Sequence, residues 1–75
     1  MQSRVVAIFK ESSGPISTRF IAQQIMIQRA LDTSDRNLTR LMVQRVIATM
    51  RRLRHEKLIR RAENIGRYAA WELIR

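Results

Sequence analysis

Residues 36–62, RNLTRLMVQRVIATMRRLRHEKLIRRA, hold the most regular helical pattern of the chain and the point at which that pattern stops. At about 100° per residue, the segment from Arg36 to His55 divides into two faces. The apolar face carries Leu38, Met42, Val43, Val46, Ile47, Thr49, Met50 and Leu53. The opposite face carries Arg40, Gln44, Arg45, Ala48, Arg51, Arg52 and His55, with Leu41 as its one sizeable apolar residue. The pattern predicts a helix roughly 30 Å long with one buried face and one arginine-rich face.

The helical pattern ends near Lys57 and gives way to an extended one. Residues 58–62 predict one strand and residues 68–74 a second, with Asn64-Ile65-Gly66 as the turn between them. Alternation in the second strand places Trp71 on the inward face, where we expect it to cover the core. A stacking platform for nucleic-acid bases is the alternative role for Trp71, but single-strand binders usually expose several aromatic residues.

A first, shorter helix is predicted over residues 3–12, with Ser3 as a possible N-cap. Gly14-Pro15 should end it, because proline has no backbone N–H to continue a helix. Its apolar residues share one face, which consists of Val5, Ile8 and Phe9.

A second helix is predicted from Thr18 to Gln28, because Ser17-Thr18 is a good capping pair ahead of a helical pattern. Its main apolar stripe consists of Ile21, Ala22, Ile25 and Met26. Phe20, Ile27 and Leu31 form a different stripe, which either covers the first helix or meets a second copy of the chain. The predicted core as a whole consists of Phe9, Ile21, Ile25, Val46, Met50, Leu53, Leu58, Trp71 and Leu73.

The polar segment after Leu31 predicts a turn that starts the third helix near Asp35. Its two carboxylates, Asp32 and Asp35, allow an acid/base pair to be considered. Acids at the start of a helix are ordinarily caps and partners of the helix dipole, and we favour that role for both.

The length of 75 residues predicts one domain, residues 1–75, with modest stability and a tendency to dimerise. There is no cysteine to form a disulfide framework. No apolar run approaches the length of a signal sequence or membrane span, so we expect a cytoplasmic protein without a membrane partner.

Charge is the strongest feature of the composition, with 15 basic and 6 acidic residues and a formal net charge of +9. Thirteen of the bases are arginine, whose planar fork suits phosphates and guanine edges. From Arg36 to Arg67 there are ten bases and two acids, a net +8, whereas the first 35 residues are nearly neutral. Because a face kept charged for solubility would mix both signs, this block indicates a polyanionic partner.

The succession of two helices, a basic helix and a hairpin resembles the winged helix-turn-helix domains of bacterial transcription regulators. The matching segments are PISTRFIA at residues 15–22 and MRRLRHEKLIRR at residues 50–61, within a resemblance that covers residues 3–74. It implies a mainly α fold with a small β-hairpin, and a regulator that binds double-stranded DNA as a two-fold dimer. Such regulators usually have glycine at the position of Lys57, where the chain leaves the helix with positive φ, so Lys57 either tolerates that conformation or the exit differs. The stretch between Ile25 and Val43 is also longer than a tight helix-turn-helix needs.

The DNA-binding residues follow from how a helix enters the major groove. Base contacts are expected from Arg36, Arg40 and Gln44 in the first half of the third helix. Phosphate contacts are expected from Arg45, Arg51 and Arg52, and from Thr18 and Arg19 at the start of the second helix. Asn64 and Arg67 at the hairpin tip would reach the backbone or the minor groove.

An enzyme is not expected, and neither a catalytic residue nor a metal or cofactor site is predicted. The chain has one histidine, His55, without a second ligand at metal spacing, and it has no glycine-rich loop. The alternative function is a winged-helix interaction module whose arginine face meets an acidic protein. A helix lying on a membrane is less attractive because the core needs its apolar face, and double-stranded RNA has a major groove too narrow for this helix.

Overall fold

The computed structural model describes residues 1–74 as three helices and a three-stranded antiparallel sheet. The elements follow the order α1 (Gln2–Glu11), β1 (Ile16–Ser17), α2 (Thr18–Gln28), α3 (Arg36–His55), β2 (Ile59–Ile65) and β3 (Tyr68–Leu73). The sheet order is β1-β3-β2, so β3 is central. The three predicted helices and the C-terminal hairpin are therefore present. The short strand β1, which pairs Ile16 with Trp71, was not predicted.

Helix α1 buries the predicted residues, Val5, Ile8 and Phe9. It ends at Glu11, ahead of Gly14-Pro15, as expected. The prediction of Ser3 as its N-cap is wrong, because the helix begins one residue earlier with Met1 as the capping residue and no side-chain cap bond.

Helix α2 has the predicted bounds because its cap is local. The Ser17 hydroxyl accepts a hydrogen bond from the Phe20 backbone N–H at 3.0 Å, which satisfies one free donor at the helix start. The predicted stripe of Ile21, Ala22, Ile25 and Met26 is buried. The second stripe does not cover α1, since Phe20 and Ile27 are 41% and 59% exposed, and only Leu31 packs against the core.

Helix α3 also has the predicted bounds. The Asp35 carboxylate accepts a hydrogen bond from the Leu38 backbone N–H at 3.0 Å, and Asp32 accepts one from the Ser34 N–H at 2.9 Å. Asp35 is therefore the cap of α3, as favoured above, whereas Asp32 lies three residues before it and holds the turn instead. The buried residues of α3 are Met42, Val46, Met50 and Leu53, while Ile47 at the edge of the apolar face is exposed.

The exit from α3 accounts for the main error in the predicted core. Lys57 has φ of 62°, so it does tolerate the left-handed conformation, and the chain turns sharply before β2. The backbone N–H of Leu58 donates to the carbonyl of Leu53 at 3.0 Å, which leaves the Leu58 side chain 43% exposed. Ile59 takes the core position instead and is 1% exposed. Because strand residues alternate between faces, a start one residue later exchanges the two positions.

The hairpin turn lies further along than predicted. Ile65 pairs with Tyr68, and a register shift between Ala62 and Ile65 marks a β-bulge. Gly66, with φ of 61°, is the first of two central turn residues, the place where a type II′ hairpin turn needs glycine.

The core lies between the three helices and the sheet. Of the predicted core residues, Trp71 and Leu73 are partly buried and pack against it, while Ala70 in the same strand is fully buried. The Trp71 indole N–H donates to the Thr18 hydroxyl at 3.1 Å, which ties β3 to the start of α2. Between residues 1 and 74, no helix combines the length and apolar character needed to cross a membrane.

Candidate nucleic-acid interface

A cleft of about 840 Å³ opens between the start of α3, the start of α2 and the beginning of β3. The loop between α2 and α3 closes one side of it. Its lining residues are Arg19, Thr33, Ser34, Arg36, Thr39, Arg40, Val43, Gln44 and Tyr68. The cleft thus brings together four of the predicted DNA-binding residues, Arg19, Arg36, Arg40 and Gln44, from two helices that are separate in the chain.

Three of these residues share one side of α3. Arg36, Arg40 and Gln44 stand at four-residue intervals, which places them one above another along the helix. All three are exposed, because the packing of Met42 and Val46 into the core turns this side outward. Their guanidinium and amide groups are the donors and acceptors that can bond guanine and adenine edges bidentately.

Arg19 links the helical part of the cleft to the hairpin. Its Nη1 donates to the Tyr68 hydroxyl at 2.8 Å, and its guanidinium carbon lies 5.3 Å from the centre of the Tyr68 ring. This contact sets the hairpin beside the start of α2. Tyr68 was not among the predicted site residues, although its place next to Arg67 in a basic hairpin was a signal that could have found it.

Within the described residues, no acidic side chain forms an ion pair with the arginines of the cleft. None of the lining residues is acidic. Within residues 1–74 the one ion pair joins Arg60 Nε to Glu72 Oε1 at 2.7 Å, outside the cleft. Asp32 and Asp35 are next in sequence to lining residues of the cleft. Their carboxylates accept hydrogen bonds of the loop and the α3 cap and form no ion pair with a cleft arginine. The cleft is therefore suited to an anionic ligand.

Arg51 extends this surface, whereas the other two predicted phosphate contacts on α3 do not. Arg51 stands eleven residues after Arg40, only about 20° away around the helix. Arg45 lines a different recess together with Arg4 and Arg29. Arg52 lies beside Gln2 and Ser3 at the start of α1. The predicted arginine-rich face is thus divided between two flanks of α3.

Thr18 is less available than predicted. Its side chain is buried and its hydroxyl accepts the Trp71 indole N–H, so this side chain is not exposed to meet a phosphate. At the hairpin, Arg67 lies exposed in the turn. Asn64 is also exposed, but its side-chain oxygen accepts a hydrogen bond from Arg61 Nη2 at 2.7 Å, which leaves its amide donors for a ligand.

Trp71 is not placed as a stacking platform. The guanidinium carbons of Arg61 and Arg54 lie 5.4 Å and 5.7 Å from the centre of a Trp71 ring, so both arginines are within cation–π distance of the indole. Together with the bond to Thr18, this makes Trp71 a residue that holds α2, α3 and the hairpin together.

Residues 1–74 contain no group of three His, Cys, Asp or Glu side chains placed to hold a metal ion. His55 lies exposed at the end of α3. Comparison with protein-family models, with curated proteins and with solved structures finds no match to this chain.

Proposed function

We propose that this chain is a winged helix-turn-helix module that binds double-stranded DNA and regulates transcription. Helix α3 enters the major groove, and the β2–β3 hairpin is the wing that contacts the backbone or the minor groove. The observation that carries the proposal is the cleft, in which Arg19, Arg36, Arg40 and Gln44 converge without an acidic lining residue.

The order of elements supports the winged-helix interpretation. A short strand between α1 and α2 pairs with the central strand of the C-terminal hairpin, and the hairpin follows α3 directly. The positive φ of Lys57 provides the sharp exit from α3 that glycine usually provides in such domains. This arrangement leaves the arginine-rich side of α3 uncovered.

The dimensions and chemistry of α3 suit the major groove. A helix with its side chains is about 10–12 Å wide, and the groove is about 12 Å wide. Arg40 and Gln44 then face base edges, while Arg36 lies near the helix start, where base contacts concentrate in helix-turn-helix proteins. Arg19, held by Tyr68, meets a phosphate beside the groove.

The proposal includes a two-fold dimer, because specific DNA sites are commonly read as paired half-sites. Phe20 and Ile27, exposed on one side of α2, offer an apolar surface for the second copy. Sedimentation should show a dimer at high concentration or on a DNA target. A monomer under both conditions contradicts this part of the proposal.

Salt-dependent binding tests the central proposal. If the protein contacts about six phosphates, a plot of the logarithm of the association constant against the logarithm of the salt concentration should have a slope near −5 for duplex DNA. Arg51→Gln should weaken binding to all duplexes alike and flatten the slope by about one unit. Gln44→Ala should instead cost roughly 1–3 kcal/mol on a preferred site, selected from a random pool, and much less on random DNA. Lys10→Gln, which removes an exposed charge on α1 away from the cleft, is the matched control.

Circular dichroism of each variant separates lost binding from lost structure. If duplex DNA shows no salt-dependent binding at low ionic strength, or if substitutions in the cleft change nothing, the DNA proposal is wrong. The alternative is an acidic protein partner. It is favoured by Leu41, which is 57% exposed within the basic face and would anchor a protein better than a nucleic acid.

A further inference from the structure

A second basic recess lies on the flank of α3 opposite to the cleft. It is open to solvent and has a volume of about 420 Å³, and Arg4 of α1, Arg29 at the end of α2 and Arg45 of α3 line it around Ile25. We propose that this recess, here called the second arginine cluster, binds the phosphates of the DNA strand that the cleft does not contact. The inference rests on the proposed function, since it assumes that α3 occupies a major groove.

The helix geometry places the two sites on different flanks. Arg45 follows Arg40 by five residues, which is roughly 140° around α3. The cleft is completed by Tyr68 from the sheet, whereas the second arginine cluster is completed by Arg4 from α1. Arg52, seven residues after Arg45 and thus on the same side, lies against the start of α1 and supports this assignment.

No role in the fold explains the second arginine cluster. The described residues form no ion pair with any of its arginines, and no acidic residue lines the recess. Arg4 lies in the first turn of α1, where the positive end of the helix dipole makes a cation unfavourable. Three arginines line one recess without an acidic partner, so we infer that the partner is an anion from outside the chain.

The width of α3 indicates that the anion is the phosphate backbone of the second DNA strand. A helix about as wide as the major groove has a phosphate backbone on each flank. Arg40 and Gln44 face the base edges, and Arg19 meets a phosphate of one strand. Arg45 then faces the other strand, and Arg4 and Arg29 extend this contact beyond α3. The protein then holds the duplex by both strands, which fixes the orientation of α3 in the groove.

A duplex with one uncharged strand tests this assignment without knowledge of the target sequence. The duplexes are about ten base pairs long, the length of one half-site, so that one copy of the chain binds and the two strands have different roles. The protein is titrated over a range of salt with a normal duplex and with a duplex whose one strand carries methylphosphonate linkages throughout. The variant combines Arg4→Gln, Arg29→Gln and Arg45→Gln. All three side chains are exposed and make no side-chain hydrogen bond among residues 1–74, so the fold should persist, as circular dichroism will verify.

On the normal duplex, the triple variant should flatten the salt slope by up to about 2.7 units, at 0.9 per phosphate. On the half-neutral duplex, the variant and the unmodified protein should bind alike. On that duplex the cleft and the wing contact the charged strand. The second arginine cluster then faces the uncharged strand, so its removal eliminates no phosphate contact. Arg29→Gln alone should flatten the slope on the normal duplex by about one unit, whereas Lys10→Gln, which removes the same charge, should not.

If the triple variant flattens the salt slope equally on both duplexes, the second arginine cluster contacts the same strand as the cleft, and the inference is overturned. An unchanged slope on the normal duplex overturns it as well, while the proposed function stands if Arg51→Gln still flattens the slope. If the unmodified protein shows no salt-dependent binding to the normal duplex, the proposed function fails and the inference fails with it.

Discussion

Replacing Lys57 by glycine should stabilise this domain, although it removes a side chain and adds none. Lys57 has φ of 62° in the turn that ends α3. The turn is held by backbone bonds alone, from the Lys57 N–H to the Arg54 carbonyl and from the Leu58 N–H to the Leu53 carbonyl, each 3.0 Å long. This is the Schellman pattern, in which glycine is the favoured residue. The substitution therefore preserves every bond of the turn and removes the strain of the lysine Cβ.

The expected gain is a difference between two opposing terms. A left-handed conformation costs an ordinary residue roughly 1–2 kcal/mol. Glycine loses more conformational freedom on folding than lysine does, which offsets roughly 0.5–1 kcal/mol of this stabilisation. The net increase in the free energy of unfolding then lies between about 0 and 1.5 kcal/mol, with a central value of about 0.75 kcal/mol. For a domain of this size, the central value corresponds to a rise in Tm of about 3–6 °C.

Thermal and urea unfolding followed by circular dichroism measure this gain, with two comparison variants. Lys57→Ala removes the same charge but keeps a Cβ, so it should not reproduce the stabilisation. Ala30→Gly at the end of α2, where φ is 55° and the Leu31 N–H donates to the Met26 carbonyl at 2.8 Å, should stabilise the protein in the same way. A Lys57→Gly protein that unfolds at or below the original temperature would refute the argument from backbone strain.

Three further predictions concern the hairpin, the α2 contact and the loop before α3. Gly66→Ala should lower the free energy of unfolding by about 1 kcal/mol, because a Cβ there meets no atom within 4 Å and only the φ of 61° opposes it; thermal unfolding checks this. Trp71→Phe should lower the free energy of unfolding, measured in urea, by about 1–2 kcal/mol, because it removes the indole N–H and leaves the buried Thr18 hydroxyl without this hydrogen bond. The hydroxyl and the backbone N–H of Ser34 hold the pKa of Asp32 below its ordinary value of 3.8, so Asp32 favours the folded state above that value and this contribution is lost as the pH falls through the lowered pKa. Carboxyl titration by NMR should show the low pKa, and Ser34→Ala should raise it.

The bounds of α2 and α3 follow from the sequence because the forces that set them are local. Ser17 and Asp35 cap these helices through bonds to residues only three positions away. The apolar repeat then determines which side of each helix is buried, and the same reasoning located Arg36, Arg40 and Gln44 on one exposed side of α3. Interactions within a few residues are readable in a single sequence.

Only the tertiary structure decided how these elements combine into sites. The positive φ of Lys57 determined that Ile59, rather than Leu58, enters the core. Pairing of β1 with β3 brought Tyr68 to Arg19 across 49 positions of the chain. Packing of α1 and α2 against α3 brought Arg4 and Arg29 from a nearly neutral segment to Arg45. Helical periodicity specifies the face on which a residue lies, but which distant residues share that face depends on contacts between elements, and no local pattern encodes those contacts.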